Sequence, residues 1–149
     1  SEDISNPDNV YLVDSSKVNS PETYFGSLRS FNFGNGKENT NGIQTLKIPT
    51  ETESNKFYLS GTWNISPEYA ENNGAASIVF KYDAKTVYMT AGSNSGVEIS
   101  IYKDDVFVKK LKIKEEQLYT IIDDIDYGKH KLRIEIPSVG LQAFTFTFG

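Results

Sequence analysis

The sequence of 149 residues contains no cysteine, one histidine, one tryptophan and one methionine. The absence of cysteine excludes disulfide bonds, thiolate metal sites and thiol catalysis from this chain. The redox compartment of the protein cannot be inferred either, because that inference depends on how cysteines are used. Any chemistry of this chain must therefore come from other side chains.

Long apolar runs and a basic surface are also missing. No stretch approaches the roughly 18 consecutive apolar residues of a membrane-spanning helix, and no signal peptide begins the chain, so we expect it to be soluble. The net charge is −5 and the lysines and arginines are scattered, which argues against nucleic acid as a partner. The chain starts at Ser1 and its only methionine is Met89, which indicates an excised or processed piece.

The sequence is rich in aromatic residues, and its apolar residues often alternate with polar ones, at a period of two. Nine Tyr, nine Phe and one Trp can fill the core of one domain. Residues 132–136 (LRIEI) and 144–148 (FTFTF) alternate strictly, and 106–113 alternates with one slip at Lys109 and Lys110 that indicates a β-bulge. Further strands are predicted at 57–63, 77–82, 86–92, 97–101 and 117–122.

Turn residues separate these predicted strands. Residues 30–42 are rich in Asn and Gly and are interpreted as a surface loop, and only residues 68–72 could form a helical turn. Turns are predicted at 73–74, 83–85, 93–96, 104–105 and 127–128.

Short strands at this spacing, without a long helical pattern, predict an all-β fold. We expect one antiparallel β-sandwich or jelly roll over residues 21–149. Residues 1–20 are polar and acidic, which is typical of a linker or an N-terminal extension, with a short edge strand at 10–14.

Catalytic and metal-binding motifs have little support. His130 is the only imidazole and has no fixed relation to a nucleophile, so it is interpreted as a solvated or hydrogen-bonded turn residue. The acidic run at 123–126 matches only the start of a calcium loop, and the alternative is an acidic hairpin turn. We therefore expect no catalytic residue, no metal site and no cofactor.

The best candidate binding site combines aromatic and polar residues of the first half. A sugar stacks its apolar face on a ring while its hydroxyls bond to carboxylate and guanidinium groups. Glu22, Tyr24, Arg29 and Trp63 fit this chemistry and are predicted to border one shallow surface. The alternative is structural: Trp63 belongs to the core, and Glu22 pairs with Arg29 to hold the segment in place.

Three parts of the sequence resemble a known family. These parts are SPETYFG at 20–26 with Arg29 and Phe33, LSGTW at 59–63 followed by Pro67 and Glu68, and the ending from LYTIID to FTFTFG. They are similar to the C-terminal domain of DipZ-type thioredoxin-like proteins, which belong to the cytochrome c biogenesis group. The resemblance covers residues 21–149.

The resemblance implies a function and a location. Such proteins join a membrane-embedded electron-transfer part and an extracytoplasmic thioredoxin-like domain to a final jelly roll. The resemblance implies that this jelly roll is similar to carbohydrate-binding modules and galactose-binding-like domains. This chain would then be a non-catalytic accessory domain, similar to a carbohydrate-binding module, in a thiol-disulfide oxidoreductase of the bacterial periplasm or cell surface. Its partners would be a carbohydrate and the upstream thioredoxin-like domain, with membrane contact only through the parent protein. The alternative is a structural or protein-interaction domain that packs on the thioredoxin-like domain or its substrate proteins.

Overall fold

The computed structural model describes residues 14–149, which form nine antiparallel strands and one 3₁₀ turn at Ser15–Lys17. Within these residues no helix is long and apolar enough to cross a membrane. The strands are β1 (Thr23–Tyr24), β2 (Gly42–Leu46), β3 (Phe57–Ile65), β4 (Ala70–Asn72), β5 (Ala76–Gly92), β6 (Val97–Lys103), β7 (Val106–Ile113), β8 (Gln117–Ile136) and β9 (Gln142–Phe148).

Two long strands, β5 and β8, run through both layers of a β-sandwich. The first half of β5 pairs with β3 and with the second half of β8, which continues to β6 and then β7. The second half of β5 pairs with β9 and with the first half of β8, and β9 pairs with β1. We call the first of these sheets, with β3, β6, β7, the first half of β5 and the second half of β8, the first layer. We call the other sheet, with β1, β9, the second half of β5 and the first half of β8, the second layer. The predicted antiparallel sandwich of the jelly-roll type is confirmed.

Aromatic rings from the two layers meet in the core. Phe80 of the first layer lies 5.5 Å, between ring centroids, from Phe146 of the second. Trp63 is fully buried, and its indole Nε1 donates a hydrogen bond of 2.9 Å to the backbone oxygen of Ser60. Gly61 permits the local geometry, because it has a φ of +93° and a Cβ there would lie 2.7 Å from the oxygen of Ala75.

Two predicted turns are wrong, because β5 and β8 continue through them. Ala84 opposes Gly128 and Thr86 opposes Asp123, so residues 124–127 of β8 lie across from Lys85 alone. This large register shift is a bulge, which bends both strands and lets them pass from one layer to the other. The turn-forming residues at 83–85 and 127–128 therefore mark a bend within paired strands.

The remaining local predictions have mixed outcomes. A bulge does occur in β7, but its extra residue is Val108, between the paired Phe107 and Lys109, rather than Lys109 or Lys110 as predicted. The helical turn at 68–72 is wrong, since β4 forms there and pairs with both β3 and β9. The predicted strand at 10–14 lies outside the described residues except for Asp14.

The last residues before position 21 contact the sandwich. The backbone N–H of Asn19 donates to the oxygen of Asp83 at 2.9 Å, and the hydroxyl of Ser20 donates to Asn55 Oδ1 at 2.7 Å. The hydroxyl of Ser20 also accepts a hydrogen bond from the backbone N–H of Asp83. These bonds hold the chain at the bend of β5, from which it enters β1.

We expect Trp63→Ala to lower the free energy of unfolding by about 3–5 kcal/mol, because it removes a fully buried ring and leaves a cavity. Urea titration measures the loss. Phe31→Ala is the control, since that ring is 63% exposed and its removal should change stability by less than about 0.5 kcal/mol. Equal effects of the two changes would contradict a core role for Trp63.

Candidate functional site

The segment at residues 23–25 alternates between the core and the surface. Thr23 and Phe25 are fully buried, and Tyr24 between them is half-buried and faces outward. Phe25 packs against Phe57 and Phe146, with ring centroids 4.7 Å and 5.1 Å away. Because β1 pairs with β9 at both of its residues, the ring of Tyr24 is held at the outer surface of the second layer.

After Phe25 the chain runs close to the turn between β3 and β4. A Cβ on Gly26 would lie 2.4 Å from the oxygen of Pro67, so only glycine allows this approach. The N–H groups of Ser27 and Leu28 donate to the oxygens of Ser66 and Pro67 at 2.9 Å and 3.0 Å. These contacts explain the glycine at position 26, whereas Pro67 contributes to them only its backbone oxygen.

Glu22, Tyr24 and Arg29 meet at the surface, as predicted. The hydroxyl of Tyr24 donates to Glu22 Oε1 at 2.6 Å, and this bond raises the pKa of the tyrosine. The guanidinium carbon of Arg29 lies 3.7 Å from the centroid of the Tyr24 ring. Arg29 therefore stacks on the ring, whereas the structural alternative placed it in an ion pair with Glu22.

Tyr24 and Arg29 line an open groove with a volume of about 280 Å³. Glu22 does not line the groove and is connected to it through its hydrogen bond with Tyr24. The groove combines apolar surfaces with charged and hydroxyl groups, so it can accommodate a ligand that is apolar on one side and polar at its edges. Its lining residues are Tyr24, Gly26, Leu28, Arg29, Pro67, Glu68, Thr90, Phe144 and Thr145.

A bulge in β9 turns Phe144 toward this groove. Thr145 pairs with Thr90 and Ala143 pairs with Ala91, which leaves Phe144 without a directly opposed residue on β5. An extra residue of this kind re-aims its side chain. Phe144 is half-buried and packs on Tyr69, with the ring centroids 5.1 Å apart. The strict alternation of FTFTF gave no sign of this, so sequence reasoning missed Phe144.

Trp63 does not belong to this surface. The prediction that its ring borders the site with Tyr24 is wrong, because the indole is fully buried. The segment around Gly26 packs instead against residues 66–68, which follow the strand of Trp63. The structural alternative for Trp63 is therefore the one that the structure shows.

The single histidine forms a second polar cluster, at the end of the β6–β7 hairpin. His130 lies within β8, not in a turn, and its Nδ1 is 2.6 Å from Asp104 Oδ2. Asp104 has a φ of +51° and accepts a hydrogen bond of 2.8 Å from the backbone N–H of Lys131 through Oδ1. Asp104 thus joins the hairpin turn to β8.

The acidic run at 123–126 lies within β8, with Asp123 paired to Thr86 and residues 124–126 in the bulge, so its interpretation as a hairpin turn is wrong. Asp124 accepts a hydrogen bond of 2.8 Å from Lys103 Nζ. Burial, together with the nearby carboxylate of Asp124, raises the pKa of the Tyr82 hydroxyl well above its usual range. In the described part of the chain no three acidic or histidine side chains are grouped in a way that could hold a metal ion.

With this geometry in place, the chain can be compared with known proteins. A family model described as the thioredoxin-like C-terminal domain matches residues 20–149. The chain belongs to this family. The expected resemblance to DipZ-type proteins is thereby confirmed.

Two curated relatives carry the name Protein DipZ, one from Mycobacterium bovis and one from Mycobacterium tuberculosis. Each is 28% identical to this chain over 130 residues, which make up 87% of this chain. The matched region is only 18% of the length of each relative. The thioredoxin-like C-terminal domain described above therefore spans less than a fifth of these proteins.

Solved structures with a similar fold include family two carbohydrate esterases. The enzyme from Cellvibrio japonicus matches with a TM-score of 0.55 and 15% identity, over 62% of this chain and 30% of that one. The Clostridium thermocellum enzyme in complex with cellohexaose matches with a TM-score of 0.53 and 12% identity, over 56% of this chain and 28% of that one. At such low identity the likeness concerns the fold alone.

We expect Asp104→Asn to destabilise the fold in a pH-dependent way. Burial raises the pKa of this carboxyl group, but the N–H of Lys131 and the side chain of His130 outweigh burial and leave the pKa below its usual value. A group with a lowered pKa stabilises the fold above the pKa of the unfolded chain, about 3.9, and this stabilisation is lost as the pH falls through the folded value.

The change should therefore lower the melting temperature at pH 7 and have a smaller effect near pH 3, where the stabilisation is being lost. Since the Asp104 side chain is 51% exposed, the loss at pH 7 should be about 1 kcal/mol or less, or roughly 2–4 °C. Asparagine tolerates positive φ, so the backbone is not strained. Thermal unfolding at both pH values measures the effect, and an equal loss at both would contradict the assignment.

Proposed function

We propose that this chain is a non-catalytic accessory domain of a thioredoxin-like protein and that it binds a carbohydrate in the groove beside Tyr24. The observation that supports this most is that Tyr24, held by its hydrogen bond to Glu22, and Arg29, stacked on the Tyr24 ring, line one open groove with both apolar and hydrogen-bonding walls. The similarity of the fold to carbohydrate esterases, one of them in complex with cellohexaose, is consistent with it.

The chemistry of the groove suits a sugar ring. Leu28, Pro67 and Phe144 supply apolar surface for the C–H face of the ring. Arg29 supplies hydrogen-bond donors and Glu68 supplies acceptors, and both side chains are exposed at the rim. Two or three such bonds on a shallow surface would give dissociation constants on the order of 0.1–1 mM.

Arg29 restricts how a sugar could stack on Tyr24. The guanidinium occupies one face of the ring at 3.7 Å, so a ligand would either displace it or bind to the guanidinium itself. A cation–π contact at an exposed site contributes about 0.5–1 kcal/mol. Binding to Arg29 in place avoids that loss, and we therefore propose that the guanidinium donates to sugar hydroxyls while it stays on the ring.

The absence of cysteine supports the non-catalytic part of the proposal. The parent protein would be a membrane-associated bacterial thiol-disulfide oxidoreductase, with its redox-active cysteines in a separate thioredoxin-like domain outside the cytoplasm. Residues 1–20 would link that domain to the sandwich of residues 21–149. The similarity to Protein DipZ supports this arrangement, in which the accessory domain steers the redox domain toward glycans.

A second candidate function is supported by the same cluster. In this alternative the chain is a structural or protein-interaction domain, and residues 21–26 fasten the sandwich to the upstream domain or to substrate proteins. The burial of Trp63 and the stacking of Arg29 on Tyr24 favour it, because each leaves less aromatic surface open to a sugar.

A glycan array, followed by titration of the best ligand, tests between the two functions. We expect millimolar or tighter binding, a loss of about fivefold or more for both Arg29→Ala and Tyr24→Ala, and a small change in melting temperature. Tyr102→Ala is the control, since Arg133 stacks on Tyr102 at 4.0 Å in a matching pair outside the groove. No binding by the parent domain, together with a large drop in melting temperature for Tyr24→Ala, would favour the alternative.

We also expect the isolated chain to show no disulfide reductase activity, because it lacks the thiolate that attacks a disulfide. The insulin-reduction assay with dithiothreitol measures this, with a buffer blank as baseline and a thioredoxin as positive control. Turnover above the blank would contradict the proposal that the redox chemistry belongs to another domain.

A further inference from the structure

The outer surface of the second layer continues from the groove across four strands. Pairing in the sheet aligns Tyr24 with Thr145, Thr145 with Thr90, and Thr90 with Leu118. A second row, two residues further along the strands, aligns Thr147 with Tyr88 and Tyr88 with Thr120. Because side chains alternate along a strand, both rows lie on the outer face. We call these seven residues the hydroxyl face.

None of the seven side chains of the hydroxyl face is charged, although 23% of the residues in the chain are charged. The charged side chains that contact it, Glu22 at Thr147 and Arg29 at Tyr24, have opposite signs. The outer face of the first layer differs, since Glu98 of β6 there opposes Lys112 of β7. Six of the seven side chains of the hydroxyl face end in or carry a hydroxyl group, and the seventh is Leu118, which is 57% exposed. Such a surface matches a neutral ligand that has many hydroxyl groups.

Threonine is common in exposed strands, so composition alone does not indicate binding. The position of the rows is more informative. Thr90 and Thr145 are part of the hydroxyl face and also line the groove, so the two surfaces are continuous. The second row joins the same cluster, because the hydroxyl of Thr147 donates to Glu22 Oε2 at 3.3 Å while Tyr24 donates to the other oxygen.

We infer that the ligand of this domain is an unbranched, neutral oligosaccharide, which occupies the groove with one end and lies across the strands of the hydroxyl face with the rest. Four neighbouring strands span about 14 Å, since strands are about 4.8 Å apart. That distance exceeds a single sugar ring. This inference rests on the proposed function, and adds to it the length and the charge of the ligand.

The dependence of affinity on ligand length tests the inference. The probes are cellobiose and cellohexaose, xylobiose and xylohexaose, and the di- and hexamers of N-acetylglucosamine, each titrated by calorimetry. In at least one series we expect the hexasaccharide to bind about tenfold or more tightly than the disaccharide, because only the longer chain reaches the hydroxyl face. In Tyr88→Ala this ratio should fall to about two or less, because Tyr88 is the largest side chain of the second row.

Tyr102→Ala is the matched control, since Tyr102 is also half-buried on an outer face but in the first layer, and it should keep the wild-type ratio. Equal affinity of the wild type for the two lengths, with both lost in Tyr24→Ala, would overturn this inference and leave the proposed function in place. An unchanged ratio in Tyr88→Ala would overturn it as well. No binding of any probe, on the array or in titration, would overturn both.

Discussion

The pairing of β5 with β8 is the interaction on which the rest of the structure depends. It extends from Ala76, which opposes Ile136, to Ala91, which opposes Gln117, and so passes through both layers. The bulge opposite Lys85 bends the two strands together, so their hydrogen bonds resume on the far side of the bend. At the same point the N–H groups of Lys85 and Thr86 both donate to the oxygen of Gly149, which ties the end of β9 to the bend.

The position of the groove follows from this arrangement. The second half of β5 holds β9, and β9 holds β1, whose neighbour Phe25 fills the core between the layers. Once Thr23 and Phe25 point inward, Tyr24 has to point outward, because side chains alternate along a strand. The close contact of Gly26 with Pro67 then places Leu28 and Arg29 beside that ring. The groove is therefore a consequence of how the core is packed.

Much of the fold could be predicted from the sequence, because alternation of apolar and polar residues is a local property. It indicated the segments that form β3 and β5 to β9 and a bulge close to Lys109, but it gave no sign of the short strands β1, β2 and β4. The bend near Lys85 was mistaken for two turns, since residues such as Asp126 and Gly128 favour turns and bulges alike. Whether these residues form turns or a bulge depends on the pairing of β5 with β8. That pairing joins residues about 40 positions apart in the sequence at this point, so local patterns do not reveal it.

The candidate site was predictable to a smaller extent, for a similar reason. Glu22, Tyr24 and Arg29 lie within eight residues of one another, so a short turn brings them together. Trp63 was predicted at the surface because an aromatic residue in a strand does not by itself show which face of the strand is buried. Only the pattern of neighbouring residues can show that. Phe144 was missed because its orientation depends on the register of β9 against β5, which alternation in β9 alone does not reveal.

The contact between Arg29 and Tyr24 bears on both proposed functions. It stabilises the segment after β1 by covering an exposed ring, which is a structural role. It also holds the guanidinium in one orientation before any ligand arrives, although the Arg29 side chain is exposed. Fixing a flexible side chain costs about 0.5–1.5 kcal/mol on binding, comparable to what one hydrogen bond contributes. A guanidinium that is already placed avoids that cost, so the feature that argues for a structural role would also strengthen a weak sugar site.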